Sequence, residues 1–233
     1  MDNIARQRPN LIARLARWIS PSFVTPDPTR VFGMDISHWD GPVDMVKSKA
    51  GGISFVIIKM FDGTVPSNYG LENRQRAIDA GMPYAYYCWL YPSNKVSGTA
   101  QARAWADLPA GAFKTFVDYE WTTYAGQPAN PYESDLYGVL TRFLEYTGKR
   151  MGIYTSAGYC GDHPLKIYEK DFDDWLAHYG TINPAIPSPW TDWVFHQFTD
   201  QGDGSLYGVN PAYARAVDLN YFNGTRDQFN TYI

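Results

Sequence analysis

Two cysteines, Cys88 and Cys160, are all that this 233-residue chain contains. They are too few for a disulfide scaffold and stand at no metal-ligand spacing. No apolar run approaches the roughly 18 residues of a membrane-spanning helix, so no membrane span is expected. Basic charge is also short: 20 Lys and Arg face 24 Asp and Glu, a net charge of −4. That balance excludes nucleic acid as the main partner, because phosphate binding needs a basic face. The four histidines, His38, His163, His178 and His196, are scattered, so no metal is expected. What the chain has in excess is aromatic rings, with 8 Trp, 18 Tyr and 12 Phe making 16% of its residues. Such a content, with 45% hydrophobic residues, belongs to a globular protein with a sizeable core.

Charge is distributed unevenly. Residues 1–30 hold five Arg against Asp2 and Asp27, a local +3 that leaves −7 for the remainder. Asn10 suits a helix cap, and Leu11, Ile12, Leu15, Trp18 and Ile19 recur at helical spacing up to Ser20-Pro21. Arginines interrupt any apolar core that a signal peptide would need. Residues 20–30, with Pro21, Pro26 and Pro28, read as a linker. The chain therefore divides into a basic head over 1–30, a possible contact for a partner protein, and one domain over 31–233.

From Val31 onward short apolar runs alternate with helical stretches. Candidate strands are 31–37, 54–61, 83–90, 113–120, 151–156, 176–179, 193–199 and 216–222. Helical segments fit 43–49, 69–80, 97–107 and 132–147, with Gly81 and Gly148 as stop signals. Alternation of this kind implies βαβ units with parallel strands. The last three strands are separated by loop-like, Pro- and Gly-rich sequence. The expected fold is an α/β, TIM-like (β/α) barrel whose helical ring is incomplete. A doubly wound sheet is the alternative, but no Gly-rich nucleotide loop follows the first strand.

In such barrels chemistry gathers at the C-terminal ends of the strands. Asp35 falls near the end of the first strand, Asp118 and Glu120 end the fourth, and Asp218 lies in the last. Side chains alternate along a strand, so Asp118 and Glu120 share a face while Val117 and Tyr119 point to the helices. Closure makes the first and last strands neighbours, which brings Asp35 towards Asp218. Like charges held together raise at least one carboxyl pKa, which supplies a protonated acid near neutral pH. Glycoside hydrolysis needs that acid beside a carboxylate, and sugar rings stack on aromatic side chains. A divalent-cation site is the rival reading of the same oxygens.

Several ordered motifs resemble the glycoside hydrolase family 25 muramidases, the lysozymes whose barrel is described as five βα units followed by three strands. Asp35-Ile-Ser37 with Gly41 is similar to the family's opening strand and turn. Phe55-Val-Ile-Ile-Lys59, Gly63-Thr64, Asn73, Ala77 and Ala80-Gly81 are similar to its second unit. Asp118-Tyr-Glu120 resembles its Asp-x-Glu signature, and Trp175–Tyr179, Gln197–Thr199 and Val217-Asp218 its closing strands. The third strand, Tyr84-Ala-Tyr-Tyr-Cys-Trp-Leu90, departs from the Tyr-His pair expected there.

The resemblance implies a peptidoglycan hydrolase acting at the bacterial cell wall. It would cut the β-1,4 bond between N-acetylmuramic acid and N-acetylglucosamine, as a phage or prophage lysin or a bacterial autolysin. Glu120 corresponds to the general acid. Asp118 corresponds to the group that orients the substrate's N-acetyl group or stabilises the cationic intermediate. Asp35 and Asp218 correspond to flanking acids. Tyr87, Trp89, Tyr154, Tyr179 and Gln197 are the expected substrate contacts, and no cofactor is implied. The alternative from another class is a non-catalytic carbohydrate-binding or structural barrel docked on an assembly through its head. Cys88 is expected to be buried in its strand, and Cys160 to lie in an exposed loop.

Overall fold

The apolar runs close on themselves. In the computed structural model, described over residues 23–233, the barrel strands are β1 (Phe32–Ile36), β2 (Val56–Asp62), β4 (Tyr84–Trp89), β5 (Thr115–Asp118), β8 (Gly152–Thr155), β9 (Asp174–Ala177), β10 (Phe195–Asp203) and β11 (Ala216–Phe222). Their order around the ring is β1-β11-β10-β9-β8-β5-β4-β2, and a β1–β2 pairing shuts it. A short β3 (Val65–Pro66) extends β2, and β6 (Thr123–Tyr124) with β7 (Gln127–Pro128) forms a separate hairpin. The helices are α1 (Met45–Ala50), α2 (Gly70–Asp79), α3 (Gly98–Ala106), α4 (Glu133–Thr147), α5 (Ala157–Asp162) and α6 (Arg226–Tyr232). The helix expected over 10–20 lies outside the described residues.

Local chemistry sets the boundaries. Asp44 caps α1 by accepting from the Lys47 amide at 3.0 Å. Gly81 and Gly148 both end their helices in the left-handed region, at φ 61° and 69°. The terminal α6 was not anticipated, although Thr225 and Gln228 form the capping box that announces it.

Parity along the strands divides the apolar side chains into two layers. Met34, Ile36, Val56, Ile58, Val117, Tyr119, Ile153 and Leu176 face the helices. Phe55, Ile57, Tyr87, Phe116, Tyr154, Trp175, Phe195 and Phe222 fill the lumen, and Phe229 of α6 packs onto Phe55 and Phe222, each at 5.3 Å between ring centres. Each such ring is worth about 1.5–3 kcal/mol when buried. Gly33 and Gly152 make the packing possible: a Cβ on either would stand 2.5 Å from the Phe55 carbonyl or 2.4 Å from the Phe116 ring. Much of the aromatic surplus is thus structural.

Two expectations need correction, and the direction of the last strand was not anticipated. The sixth strand spans Asp174–Ala177, so Tyr179 lies beyond it; Asp174 secures the earlier start by accepting from the Val194 amide. The last strand, β11, runs antiparallel to both neighbours, and the connection from β10 over residues 204–215 holds no crossover helix. Cys160 is not exposed: it sits in α5, 6% accessible, with its sulfur 3.4 Å from Thr155 Oγ1. Residues 23–30 are irregular and tied to the barrel wall, Val24 N–H donating to the Gln201 carbonyl and Asp27 N–H to the Tyr221 hydroxyl, each at 2.8 Å.

Candidate active site

One mouth of the barrel opens into a cleft of about 1260 Å³. Asp35, Tyr87, Trp89, Asp118, Glu120, Tyr154, Tyr179, Gln197 and Asp218 all line it, so every expected site residue reaches one place. Parity explains the convergence. Lumen-facing positions two residues apart run upward from the aromatic plug to polar side chains: Phe55–Ile57–Lys59 on β2, Ala85–Tyr87–Trp89 on β4, and Phe116–Asp118 on β5 with Glu120 beyond it.

The closing seam carries the first pair of acids. Asp35 and Asp218 are register partners on β1 and β11. Because β11 is reversed, Asp218 reaches this mouth from the beginning of its strand. Asp35 Oδ1 accepts from Gln197 Nε2 at 2.8 Å and from Asn220 Nδ2 at 2.9 Å. Gln197 Oε1 in turn accepts from the hydroxyls of Tyr154 and Tyr179, both at 2.8 Å. Burial, reinforced by the surrounding carboxylates, holds both phenols well above their ordinary pKa. They remain O–H donors, which fixes the Gln197 amide with its nitrogen towards Asp35. Asn220 is held likewise, accepting from Trp175 Nε1 at 2.7 Å.

The second pair comes from β5. Asp118 is buried at the strand end, and Glu120 is half-buried just past it. The ladder continues through the residue between them, with Tyr119 N–H donating to the Tyr154 carbonyl at 2.9 Å. Tyr119 itself packs among the outer apolar side chains. Both carboxylates are thereby turned to the cleft, with Glu120 the more accessible.

Several cleft residues were missed as site residues. Lys59 is 3% exposed, paired with Asp62, and lies 4.7 Å from the Trp89 ring centre. Its lumen-facing parity with Phe55 and Ile57 was the available signal. Trp39 and Trp121 flank the acids, 41% and 49% exposed. Thr122 accepts from Trp89 Nε1 at 2.7 Å and starts the β6–β7 arm that walls the cleft. Such loop residues carry no periodicity. Among the described residues no group of three or more His, Cys, Asp or Glu could hold a metal ion, and no helix is long and apolar enough to cross a membrane.

Comparison with known proteins adds the family and supports the fold. The model of glycosyl hydrolases family 25 matches residues 34–206. Lysozyme M1 of Streptomyces globisporus is 30% identical over 225 residues, spanning 85% of this chain and 70% of that protein. The uncharacterized protein YegX of Escherichia coli O157:H7 is 27% identical, spanning 87% and 73%. The crystal structure of a bacterial lysozyme from Streptomyces coelicolor aligns with a TM-score of 0.74 at 27% identity, covering 87% of this chain and 96% of that one. The catalytic domain of endolysin ply40 from bacteriophage P40 of Listeria monocytogenes shares the fold, with a TM-score of 0.67 at 20% identity and coverage of 89% and 98%. With the family match running from β1 through β10 and so embracing Asp35, Asp118 and Glu120, the chain belongs to glycosyl hydrolases family 25.

Proposed function

We propose that the cleft hydrolyses peptidoglycan as an N-acetylmuramidase, cutting the β-1,4 bond between N-acetylmuramic acid and N-acetylglucosamine in bacterial cell walls. The observation that carries this reading is the convergence of Asp118 at the end of β5, Glu120 just beyond it and the Asp35–Asp218 register pair on one cleft of about 1260 Å³. Glu120 is the general acid: it is the more accessible carboxylate, so it meets the glycosidic oxygen and protonates it as the bond breaks. Asp118, set deeper, faces the anomeric side and stabilises the positive charge that develops there. Asp35 and Asp218 hold the negative field and the substrate in register. Tyr87, Trp89, Tyr154, Tyr179 and Gln197 supply ring faces and hydrogen bonds to the glycan. The enzyme works at the wall, as a phage or prophage lysin or an autolysin.

Glu120→Gln tests the assignment, because the amide keeps the volume and hydrogen-bonding reach but has no proton to deliver. Turnover on cell-wall suspensions, followed by turbidity and new reducing ends, should fall by about 10²–10⁴-fold. Binding of soluble fragments and the melting temperature should hold. Undiminished turnover in a folded Glu120→Gln protein would sink the reading.

A further inference from the structure

We propose that Tyr124, carried on the β6–β7 arm, is a sugar-binding platform at one side of the cleft and makes the enzyme prefer long glycan strands. This inference rests on the cleft being the hydrolase site and names a determinant of substrate length within it.

The cleft does not end at the acids. Its lining takes in Thr64, Val65 and Asn68 from the segment after β2, Tyr91 just past β4, and Tyr124 and Pro128 from the arm after β5. Strands β2, β4 and β5 are consecutive neighbours in the ring, so these segments build one side of the mouth.

That side is rigid. Tyr124 is 38% exposed and meets Tyr91 edge to face, with ring centres 5.5 Å apart at 85°. Tyr91 is buried and clamped by Gln101 of α3. Its N–H donates to Gln101 Oε1 at 2.9 Å, and its carbonyl accepts from Gln101 Nε2 at 2.8 Å. The root of the arm is held as firmly. Thr122 accepts from Trp89 Nε1, its N–H donates to Asn130 Oδ1 at 2.9 Å, and its carbonyl accepts from Ala129 N–H at 3.0 Å. The tip turns through Ala125 and Gly126 at φ 51° and 78°, the left-handed pair that a tight two-residue hairpin uses. Alanine is strained in that region, and strain of this kind gathers at ligand clamps and active sites.

An exposed ring on a fixed mount, beside the hydroxyl of Thr64 and the amide of Asn68, suits a pyranose. The apolar face of the sugar covers the ring, and its hydroxyls find polar partners. Charge selects among the parts of the wall polymer. Lys59 is the sole Lys or Arg among the described lining residues, and it is buried and paired with Asp62. The carboxylates of a stem peptide would therefore meet an acidic mouth. The occupant that fits is an uncharged N-acetylhexosamine beyond the pair of sugars being cut.

The test uses the full chain and peptide-free wall glycans of two lengths, a tetrasaccharide and an octasaccharide. In Tyr124→Ala the octasaccharide-to-tetrasaccharide ratio of kcat/KM should fall about three- to tenfold, through KM on the longer strand. Tyr124→Leu keeps apolar cover on Tyr91 but offers no ring face, and its ratio should fall likewise. Tyr124→Phe keeps the ring and should keep the ratio. Octasaccharide binding by calorimetry, with each variant placed on Glu120→Gln, should weaken by the same factor. An unchanged ratio in Tyr124→Ala and Tyr124→Leu, or equal losses on both lengths, would overturn the platform. A loss confined to peptide-bearing strands would overturn it too, since the arm would then bind the stem peptide. Wild-type protein inactive on every wall glycan would instead refute the hydrolase reading. Calorimetry then decides the platform, and equal octasaccharide affinity of Tyr124→Leu and wild type would overturn it.

Discussion

Asp35 and Asp218 face each other as register partners at the seam where the barrel closes, one near the end of its strand and the other near the beginning of its own. Had β11 run parallel to β1, Asp218 would have been carried to the opposite mouth. The reversal also sets Asn220 two residues deeper on the same face, within 2.9 Å of Asp35. Strand polarity and acid placement are thus one device, and Gln197 is its centre.

Gln197→Glu probes that device with the least change of shape. The new carboxylate still accepts from Tyr154 and Tyr179, but it no longer donates to Asp35 and sets a second negative charge beside it. A cost of about 1–3 kcal/mol in urea unfolding is expected near neutral pH, the range for a buried polar partner left unsatisfied. The cost should shrink at pH 4–5 as one acid takes up a proton. Equal stability at both pH values would show that Asp35 does not depend on the amide.

Two acids outside the cleft give the fold its own pH dependence. Burial pushes Glu169 and Asp174 up to about 7 each, from ordinary values near 4. The folded state therefore binds their protons more tightly than the unfolded chain does. Their contribution is fully present below about pH 4 and is lost as pH rises through 7. Glu169→Gln and Asp174→Asn keep the oxygens that accept from the Lys166 and Val194 amides. Each should raise the melting temperature by a few degrees at pH 8 and change it little at pH 5. A gain confined to pH 5 would contradict the assignment.

Period-2 alternation bounded by Gly and Pro made the strands legible, and it also aimed Asp118 and Glu120 at the same side of β5. The polarity of β11 was not legible, because a strand's residue pattern reads the same in either direction. Lys59 escaped notice for a different reason. A lysine inside an apolar run alternates onto the same side as Phe55 and Ile57, but only the closed lumen turns that side inward among carboxylates. The boundary of β9 was misplaced because Asp174 reads as a turn residue until its partner, the Val194 amide, is brought beside it. Trp39, Trp121 and the β6–β7 arm follow from loop paths, which no periodicity encodes.

Gly152→Ala tests how tightly the lumen is filled. The added methyl would stand 2.4 Å from the Phe116 ring and 3.0 Å from the Asp173 carbonyl, and the latter, being backbone, cannot turn aside. A loss of about 1–3 kcal/mol is expected, as for overpacked cores. Combination with Phe116→Leu, which opens space, should recover part of it. Additive losses in the double variant would show that the ring is not the obstacle.

Lys59 places a positive charge deep in an acidic mouth, beneath Trp89 and beside Asp62. Lys59→Met keeps the apolar stem and removes only the charge. The neighbouring carboxylates then hold their protons more tightly, so the acid limb of the kcat/KM profile should move to higher pH. Stability should fall by up to about 3 kcal/mol near neutral pH, below the usual cost of breaking a buried pair because Asp62 keeps contact with water. Addition of Asp62→Asn removes the abandoned partner. It should restore most of the stability and bring the pH limb only partway back, since loss of the Asp62 carboxylate offsets part of the missing cation's effect on the remaining cleft acids. A limb that returns in full with the stability would confine Lys59 to its pairing with Asp62, and a limb that never moves would remove it from the electrostatics of the site.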